Sequence, residues 1–383
     1  MDYLLTEEQM MIKELCAQIA AEKIKPIRAE LDESEEFPHH IMKLLAQSDL
    51  FGLYIPESYG GMGKGVLELC IATEELSAAC GGIAVSYAAS ALGTFPILLY
   101  GNDEQKKKYL PALAKGEHLA AFGLTEPNAG SDASAIETVA KKQGDYYVLN
   151  GLKHFITNGG DAQIYVIIAM TDKTKGARGA SAFIVEKGTP GFTFGKKEKK
   201  MGIRASSTRE LVFSDCKIPK ENLLSREGMG FIVTMKTFDM SRPGVAAQAI
   251  GIAQGALDEA VIYAKSRQQF GKSISSFQGI QFMLADMATK VEAARALVYA
   301  VARMVDAGCK DVGKESAMAK LFASDMAMQV TTDAVQILGG YGYMRDYPVE
   351  KYMRDAKITQ IYEGTNQIQR GIIALQLIKE MKK

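Results

Sequence analysis

The spacing of apolar residues predicts that the chain begins with helices. Four apolar residues near the start recur at intervals of three and four positions: Met11, Ile12, Leu15 and Ile19. This spacing places them on one face of a helix. Thr6 and Gln9 stand at the start of the segment with the spacing of a capping box, in which each side chain bonds to the other residue's amide. Apolar runs separated by glycine and proline follow, so we expect a helical domain over residues 1–120.

Residues 121–228 have a different pattern. Short runs of β-branched and aromatic residues are broken by glycine, asparagine and aspartate, as in DYYVLNGLKHFITNGG, ASAFIVEKG and RELVFSDCKIP. Runs of this length and composition are typical of antiparallel strands joined by turns. We therefore predict a compact, β-barrel-like middle domain over these residues.

Residues 229–383 return to the helical pattern. Stretches such as FQGIQFMLADMATKVEAARALVYAVARMVDAG are much longer than the usual helix of about 11 residues. Long helices joined by short loops predict a C-terminal four-helix bundle. The expected fold class is therefore mainly α with a central antiparallel β domain.

Composition excludes several classes of protein. The 45 basic residues balance 45 acidic ones, so no net charge favours nucleic acid or an anionic membrane. The five cysteines form no C-x-x-C pair, and the four histidines include only one adjacent pair, His39 and His40, which argues against disulfides and against a metal site. The N-terminus has no signal-like segment, and no run of about eighteen apolar residues occurs. We expect a cytoplasmic protein without membrane insertion.

Two Gly-Lys pairs do not form a nucleotide-binding P-loop. In YGGMGKG, no serine or threonine follows Lys64. In SRQQFGKS, Ser266 stands where a P-loop needs glycine, and a helical pattern precedes it. No G-x-G-x-x-G follows a strand, so a dinucleotide, if bound, is not held in a Rossmann turn.

Two segments of the middle domain could face a ligand. FGLTEPNAGSDAS, residues 122–134, leaves a strand and could expose amides and hydroxyls to an anion or a flavin, although an ordinary turn fits it equally well. HFITNGG puts Phe155 and Thr157 on the same side of a strand, which suits a stacked heteroaromatic ring or a plain core. Arg267, at the end of a predicted helix, could bind a phosphate or the helix's own C-terminus.

Seven motifs occur in this order: FGLTEPNAGSD, FITNGG, FDMSRP, SRQQFGK, FQGIQFMLADM, AVQILGGYGY and MRDAKITQIYEGT. With them, the chain resembles an acyl-CoA dehydrogenase of the short- or medium-chain type over essentially its whole length. FDMSRP and YPVEKYMRDAKI favour the medium-chain type. The resemblance implies a homotetramer that binds FAD and an acyl-CoA thioester, dehydrogenates the acyl chain and passes electrons to electron-transfer flavoprotein.

The resemblance also implies roles for individual residues. The flavin would be contacted by Phe122, Leu124, Thr125, Phe155, Ile156 and Thr157. Ser131 would lie near both phosphate and CoA. The adenosine and pyrophosphate of a neighbouring subunit's FAD would be held by Arg267, Gln269, Phe270, Gln278, Gln336, Gly339 and Gly340, and the dinucleotide would be capped by Thr365 and Gln367. The acyl-CoA would be contacted by Asp239, Arg242, Tyr362 and Gly364.

One residue departs from the family pattern. The family often has tryptophan where this chain has Phe155, and the chain has no tryptophan at all. Phenylalanine keeps an apolar face for stacking but has no indole N–H. We therefore expect the chain to bind flavin. The effect of Phe155 on the redox potential of the flavin and on docking of the electron acceptor stays open.

The implied chemistry needs a base beside the α-carbon and hydrogen-bond donors on the thioester carbonyl. Glu363 is the candidate base, and its own amide is a candidate donor. In some branches of the family the base instead precedes the arginine that corresponds to Arg242, and that position is Ser241 here. Thr365 is expected to cap the following helix. The positive end of that helix would lower the pKa of Glu363, so burial must outweigh this effect.

The substrate and two rival functions stay open. VSYAASALGTFP, residues 85–96, has small residues and no charge, so a short- to medium-chain, branched or alicyclic acyl group could fit beside it better than a dicarboxylic one. The chain could instead be an acyl-CoA oxidase that passes electrons to oxygen, or a non-catalytic acyl-CoA or flavin-binding protein. Oxygen consumption and substrate-dependent loss of flavin absorbance would separate these functions.

Overall fold

The structure is a computed structural model that describes residues 3–381. Its first part is helical: α1 (Glu7–Ile19), α2 (Arg28–Ser34), α3 (His39–Gln47), α4 (Val66–Ala79), α5 (Gly81–Tyr100) and α6 (Asp103–Ala114). The predicted capping box at the start of α1 is confirmed. The Gln9 amide donates to the Thr6 hydroxyl over 3.2 Å, and the Thr6 amide donates to Gln9 Oε1 over 3.0 Å.

The middle of the chain forms one large sheet. Its strands are β1 (Ala120–Gly123), β2 (Val139–Gln143), β3 (Tyr146–Thr157), β4 (Ile164–Met170), β5 (Ala180–Glu186), β6 (Phe192–Lys197), β7 (Thr208–Pro219) and β8 (Leu223–Leu224). They lie in the order β6-β7-β3-β2-β4-β5-β8, with β1 beside β4. Most pairs are antiparallel, as predicted, but β1 and β2 both pair with β4 in parallel, so the sheet is mixed.

The last part is helical again: α7 (Gly230–Ser266), α8 (Gln278–Asp306), α9 (Gly313–Leu338), α10 (Gly340–Tyr343), α11 (Val349–Thr359) and α12 (Asn366–Glu380). Between α7 and α8 lies a small hairpin of β9 (Gln268–Gln269) and β10 (Lys272–Ser273). Helices α7, α8 and α9 pack against one another, and α11 and α12 pack on α9. The predicted order of helices, sheet and helices is confirmed, while the boundaries at residues 120 and 228 stay a prediction.

Helices α5 and α7 carry much of the core. Within residues 3–381 both are long and apolar enough to cross a membrane by length and composition alone, but 78% and 72% of their most apolar stretches are buried inside the protein. An interior helix passes the same test. Helix α7 packs against α4, α5, α9 and α11, and α5 also packs against β1. These contacts bring one end of the sheet and the segment before α12 to the same place.

Candidate active site

A small cavity of about 120 Å³ lies where α5, α7, the sheet and the segment before α12 meet. We call it the central cavity. Eight of the residues predicted from the sequence line it: Phe122, Leu124, Thr125, Phe155, Ile156, Thr157, Tyr362 and Glu363. They come from positions up to 241 residues apart in the chain (363 − 122 = 241). Most of the remaining wall is apolar, so a polar group inside it meets little competing water.

Glu363 contributes a carboxylate to the central cavity, and α7 provides its hydrogen-bond donor. The Ser241 hydroxyl donates to Glu363 Oε2 over 2.5 Å. Burial raises the pKa of the Glu363 carboxyl above its ordinary value, although the Ser241 hydroxyl and the cations Arg242 and Lys320 act in the opposite direction. A carboxylate with a raised pKa in an apolar cavity can serve as a general base.

The backbone that carries Glu363 has an uncommon conformation. Glu363 has φ +50° and Gly364 has φ +93°, which are left-handed values that residues other than glycine rarely adopt. Side chains hold the exposed carbonyls in place. Gln369 Nε2 donates to the carbonyls of Glu363 and Gly364 over 3.1 and 2.9 Å. Arg242 Nε donates to the Glu363 carbonyl over 3.4 Å, and Lys320 Nζ donates to the Gly364 carbonyl over 2.9 Å.

Sequence reasoning missed three of these partners. In the sequence, Ser241 stands out only as a position that lacks a carboxylate, and no motif marks Lys320 or Gln369. Lys320 stands in a long helical segment where a lysine usually faces solvent. No pattern local to the sequence marks it as buried.

Thr365 caps α12 as predicted. Its hydroxyl accepts from the Ile368 amide over 3.3 Å. Just before it, Tyr362 donates a hydrogen bond to Gln248 Oε1, and Gln248 Nε2 donates to the Gly81 carbonyl over 3.0 Å. This chain ties the segment before α12 to α7 and to the start of α5.

A bulge in β3 shapes another part of the wall of the central cavity. The pairing of β3 with β7 shifts between Lys153 and Ile156, and Phe155 has φ +59°. The simple alternation predicted for this strand therefore fails at the bulge. Phe155 is 59% exposed, although it lies against the ring of His154 at a centroid distance of 3.8 Å. An exposed aromatic ring in a cavity wall can stack against a planar ligand.

A buried ion pair supports the loop that follows β1. Lys153 Nζ donates to Glu126 Oε1 over 2.6 Å and to the Leu124 carbonyl over 3.0 Å. Glu126 also accepts from the amides of Glu137 and Thr138. Burial lowers the pKa of Lys153 to about 8, while Glu126 opposes that change. The pair joins the loop to β3 beside the bulge.

The residues on this wall fit a flavin ring. Phe155 offers an open aromatic face, and Leu124 and Ile156 supply apolar surface. Among residues 3–381 the hydroxyls of Thr125 and Thr157 have no hydrogen-bond partner, so both are free to bond to polar atoms at the edge of a ring. Apolar faces with a few free donors are what a planar cofactor with polar edges requires. Ser131, also predicted at the cofactor, is exposed on the same loop.

A second group of predicted residues lies away from the central cavity. Arg267, Gln269, Gly339 and Gly340 line a surface groove beside the β9–β10 hairpin, which we call the bundle groove. The other predicted residues of this group are exposed: Phe270, Gln278, Gln336 and Gln367. None of these residues contributes to the wall of the central cavity. Within one chain the structure therefore does not bring the two groups together.

The two residues predicted at the CoA entrance differ in exposure. Arg242 is only 4% exposed, and Asp239 is half-buried. Neither lines the central cavity. Arg242 instead bonds to the backbone of the Glu363 segment. Its guanidinium carbon lies 5.5 Å from the centroid of the Phe238 ring. Gly364 lies on the same segment, next to Glu363.

One cluster could not have been found from sequence spacing. His154, Glu198 and Glu210 place possible ligand atoms within 4.8 Å of one another. His154 Nδ1 lies 3.2 Å from Glu210 Oε1, and Lys196 lies 3.2 Å from Glu198. The absence of a metal stays a prediction.

Family models match nearly the whole chain. The N-terminal, middle and C-terminal domains of acyl-CoA dehydrogenase match residues 6–117, 121–216 and 228–378. The short-chain specific acyl-CoA dehydrogenase of Clostridium acetobutylicum is 52% identical over 380 residues, which cover 99% of this chain and all of that protein.

Two solved structures have nearly the same fold. The butyryl-CoA dehydrogenase of Megasphaera elsdenii superposes with a TM-score of 0.97 and is 50% identical, covering 99% of this chain and all of that one. A chain from the study of the electron transferring flavoprotein of Acidaminococcus fermentans superposes with a TM-score of 0.96 and is 55% identical, covering 98% of this chain and 99% of that one.

Proposed function

Because the chain belongs to the acyl-CoA dehydrogenase family, whose members are FAD-dependent oxidoreductases, we propose that it dehydrogenates a short-chain acyl-CoA with Glu363 as the base. The observation that carries the proposal is the position of Glu363. Glu363 lines an apolar cavity that is also lined by the residues that fit a flavin. A base and a hydride acceptor on two sides of one acyl chain are what α,β-dehydrogenation requires.

Glu363 takes the α-proton in this proposal. Its raised pKa brings the carboxylate closer in basicity to the weakly acidic α-carbon. The Glu363 amide makes no hydrogen bond within residues 3–381, so it is free to donate to the thioester carbonyl. Such a donor stabilises the negative charge that develops on this oxygen as the proton leaves.

The flavin ring is proposed to lie against Phe155, with Thr125 and Thr157 bonding to its edge, and Phe122, Leu124 and Ile156 beside it. FAD, when bound, supplies the acceptor for the β-hydride. Ser131 is proposed to contact phosphate and CoA. Asp239, Arg242, Tyr362 and Gly364 are proposed to contact the acyl-CoA.

The bundle groove is proposed to hold the adenosine end of an FAD that belongs to a neighbouring subunit. The residues assigned to this end are Arg267, Gln269, Phe270, Gln278, Gln336, Gly339, Gly340, Thr365 and Gln367. The separation of the groove from the central cavity supports a site shared between subunits. A soluble homotetramer in the cytoplasm, with electron-transfer flavoprotein as its electron acceptor, completes the proposal.

Bulky side chains in the wall of the central cavity support a short acyl group. Leu69, Leu92 and Phe95 add bulk to a wall that Ala88 and Ala89 alone would leave open. The relatives described above carry short-chain and butyryl names, whereas the motifs favoured a medium-chain type. Turnover of butyryl-, octanoyl-, isobutyryl- and cyclohexanecarboxyl-CoA tests this preference, and a maximum at octanoyl-CoA would contradict it.

The role of Glu363 is tested with Glu363→Gln. The amide keeps the shape of the side chain but cannot accept the α-proton, so FAD and acyl-CoA should still bind while butyryl-CoA no longer bleaches the flavin under anaerobic conditions. Glu36→Gln, at an exposed glutamate far along the chain, is the matched control and should bleach like the wild type. Bleaching of Glu363→Gln at a wild-type rate would show that another group is the base.

A further inference from the structure

Lys320 is a buried cation that the proposed chemistry does not use directly. It lies on α9 and is 0% exposed. Its Nζ donates to the Gly364 carbonyl over 2.9 Å and to Asn366 Oδ1 over 2.8 Å. Among residues 3–381 it has no salt bridge. A buried ammonium without a paired carboxylate is unfavourable, so its place beside the Glu363 segment needs a reason.

The bonds of Lys320 hold the two residues that set the path of this segment. Gly364 lies directly after the left-handed Glu363, and Asn366 is the first residue of α12. The carbonyl of Gly364 accepts from both Lys320 and Gln369. Without a donor on α9, that carbonyl would keep only the partner that belongs to α12. The segment could then shift together with α12 relative to α7. Such a shift would disturb the hydrogen bond from Ser241 on α7 to the Glu363 carboxylate.

A wider network fixes Asn366 in turn. Its Nδ2 donates to Ser324 Oγ over 2.9 Å and to Asp325 Oδ1 over 2.7 Å. Gln360 Nε2, at the end of α11, donates to the same Asp325 oxygen over 2.7 Å, and Arg370 donates to the other over 2.7 Å. Helix α9 therefore holds both ends of the segment that carries Glu363, through Asp325 and Lys320.

We propose that Lys320 is a positioning residue for this reaction: it fastens the Glu363–Gly364 backbone to α9 and places a positive charge behind the Glu363 carboxylate. The proposal rests on the proposed role of Glu363 as the base. Lys320 touches neither substrate nor flavin in this scheme. It acts by fixing the direction of the carboxylate and by opposing the effect of burial on its proton affinity.

The charges around Lys320 give the proposal an electrostatic signature. Glu363 faces it from the segment before α12, Arg242 from α7 and Asp325 from its own helix. Burial lowers the pKa of Lys320 to about 7, Glu363 and Asp325 oppose this, and Arg242 adds to it. The charge of Lys320 in turn lowers the pKa of Glu363. Removing that charge should therefore raise the pKa of Glu363. The acid limb of the pH–rate profile, where the rate falls as Glu363 becomes protonated, should then move to higher pH.

Two substitutions separate the charge from the hydrogen bonds. Lys320→Met removes both, and Lys320→Gln keeps a neutral donor. Lys314→Met, on the same helix, is the control, because the ion pairs of Lys314 within residues 3–381 are to Glu315 and Glu380 and not to the Glu363 segment. FAD-loaded enzymes are mixed anaerobically with butyryl-CoA, and the rate of flavin bleaching is measured against pH. Binding of the 2-enoyl-CoA product is measured separately from its spectral effect on the flavin.

Lys320→Met should bleach at least about tenfold more slowly than the wild type, since a misplacement of about 1 Å can cost on the order of 100-fold in rate. Product binding should change much less, and the acid limb should lie at higher pH. Lys320→Gln should recover much of the rate but keep the displaced acid limb, and Lys314→Met should match the wild type.

Wild-type rate and wild-type acid limb in Lys320→Met would overturn the proposal. If Lys320→Met does not retain FAD, the acid limb of Lys320→Gln decides instead, and an unchanged limb would overturn it. Failure of the proposed function looks different, because Glu363→Gln would then bleach like the wild type. If Glu363→Gln is inactive and both Lys320 variants behave normally, only the role of Lys320 is wrong.

Discussion

Opposing effects on one carboxylate set the chemistry at the residue scale. The start of α12, the Ser241 hydroxyl and two nearby cations all favour the ionised form of Glu363. Burial favours the protonated form and prevails, so the pKa is raised. The carboxylate is therefore more basic than an exposed glutamate, while the Ser241 hydroxyl and the two cations limit the rise of its pKa.

Ser241→Ala tests this balance. Loss of the hydroxyl removes a hydrogen bond that favours the ionised form, so the pKa of Glu363 should rise further. Because the proposed base must be ionised to work, activity should then fall off at a higher pH. The acid limb of flavin bleaching by butyryl-CoA measures the shift. Ser58→Ala, at an exposed serine, should leave the limb in place, and an unmoved limb in Ser241→Ala would contradict the expectation.

At the scale of elements, the wall for the flavin depends on two segments that support each other. The bulge in β3 turns Phe155 into the cavity, and the His154 amide donates to the Thr125 carbonyl over 2.8 Å. Lys153, one residue earlier, holds Glu126 and the Leu124 carbonyl. The loop after β1 is thus joined to the bulge at Leu124 and Thr125, the two residues of this loop that are proposed to contact the flavin.

Lys153→Met should loosen this wall. It leaves the buried Glu126 without its cation, a change that typically costs about 3–5 kcal/mol of folding free energy. We expect a lower free energy of unfolding and weaker FAD retention, measured by denaturant titration and by flavin fluorescence after dilution. Lys141→Met, at an exposed lysine on β2, is the control. Adding Glu126→Gln should recover part of the stability, because the remaining group is then neutral. Normal FAD retention in Lys153→Met would show that the ion pair does not support the wall.

At the scale of the whole molecule, the C-terminal helices expose large apolar side chains. Phe270 at the hairpin is 94% exposed and Phe282 on α8 is 60% exposed, and Leu375 and Ile378 on α12 are also exposed. Large exposed apolar side chains mark a surface covered by a partner where they lie together in one patch. Together with the isolated bundle groove, they support the proposed homotetramer and its shared FAD sites.

Phe282→Asp should therefore disrupt the assembly. A charge placed in an apolar interface is costly to bury, so the protein should sediment as a smaller species, and its FAD should dissociate more readily. Sedimentation velocity with detection at the flavin absorbance measures both effects in one experiment. Tyr146→Asp, at a half-exposed tyrosine on the sheet, should leave size and flavin content unchanged. A wild-type sedimentation coefficient for Phe282→Asp would exclude α8 from the interface.

Several properties of this protein follow from its sequence alone. The order of helices, sheet and helices, the cap of α1 and the cap of α12 were predicted and are confirmed. The family, the enzyme class and FAD as cofactor were predicted from collinear motifs and are confirmed as well. The order of elements and the caps depend on periodicity and on contacts between residues three or four positions apart, which short stretches of sequence contain. The family, the enzyme class and the cofactor follow from motifs that are likewise short stretches of sequence.

Only the tertiary structure decided which groups surround Glu363. Ser241 and Lys320 lie 122 and 43 residues before it in the chain (363 − 241 and 363 − 320), and the bulge beside Phe155 arises from the pairing of β3 with β7. In a helical sequence pattern, a buried lysine cannot be distinguished from a surface lysine. A bulge breaks the alternation of side chains between the two faces of a strand, on which strand prediction depends. These contacts form only when distant segments pack together, because burial and long-range hydrogen bonds are properties of the folded chain.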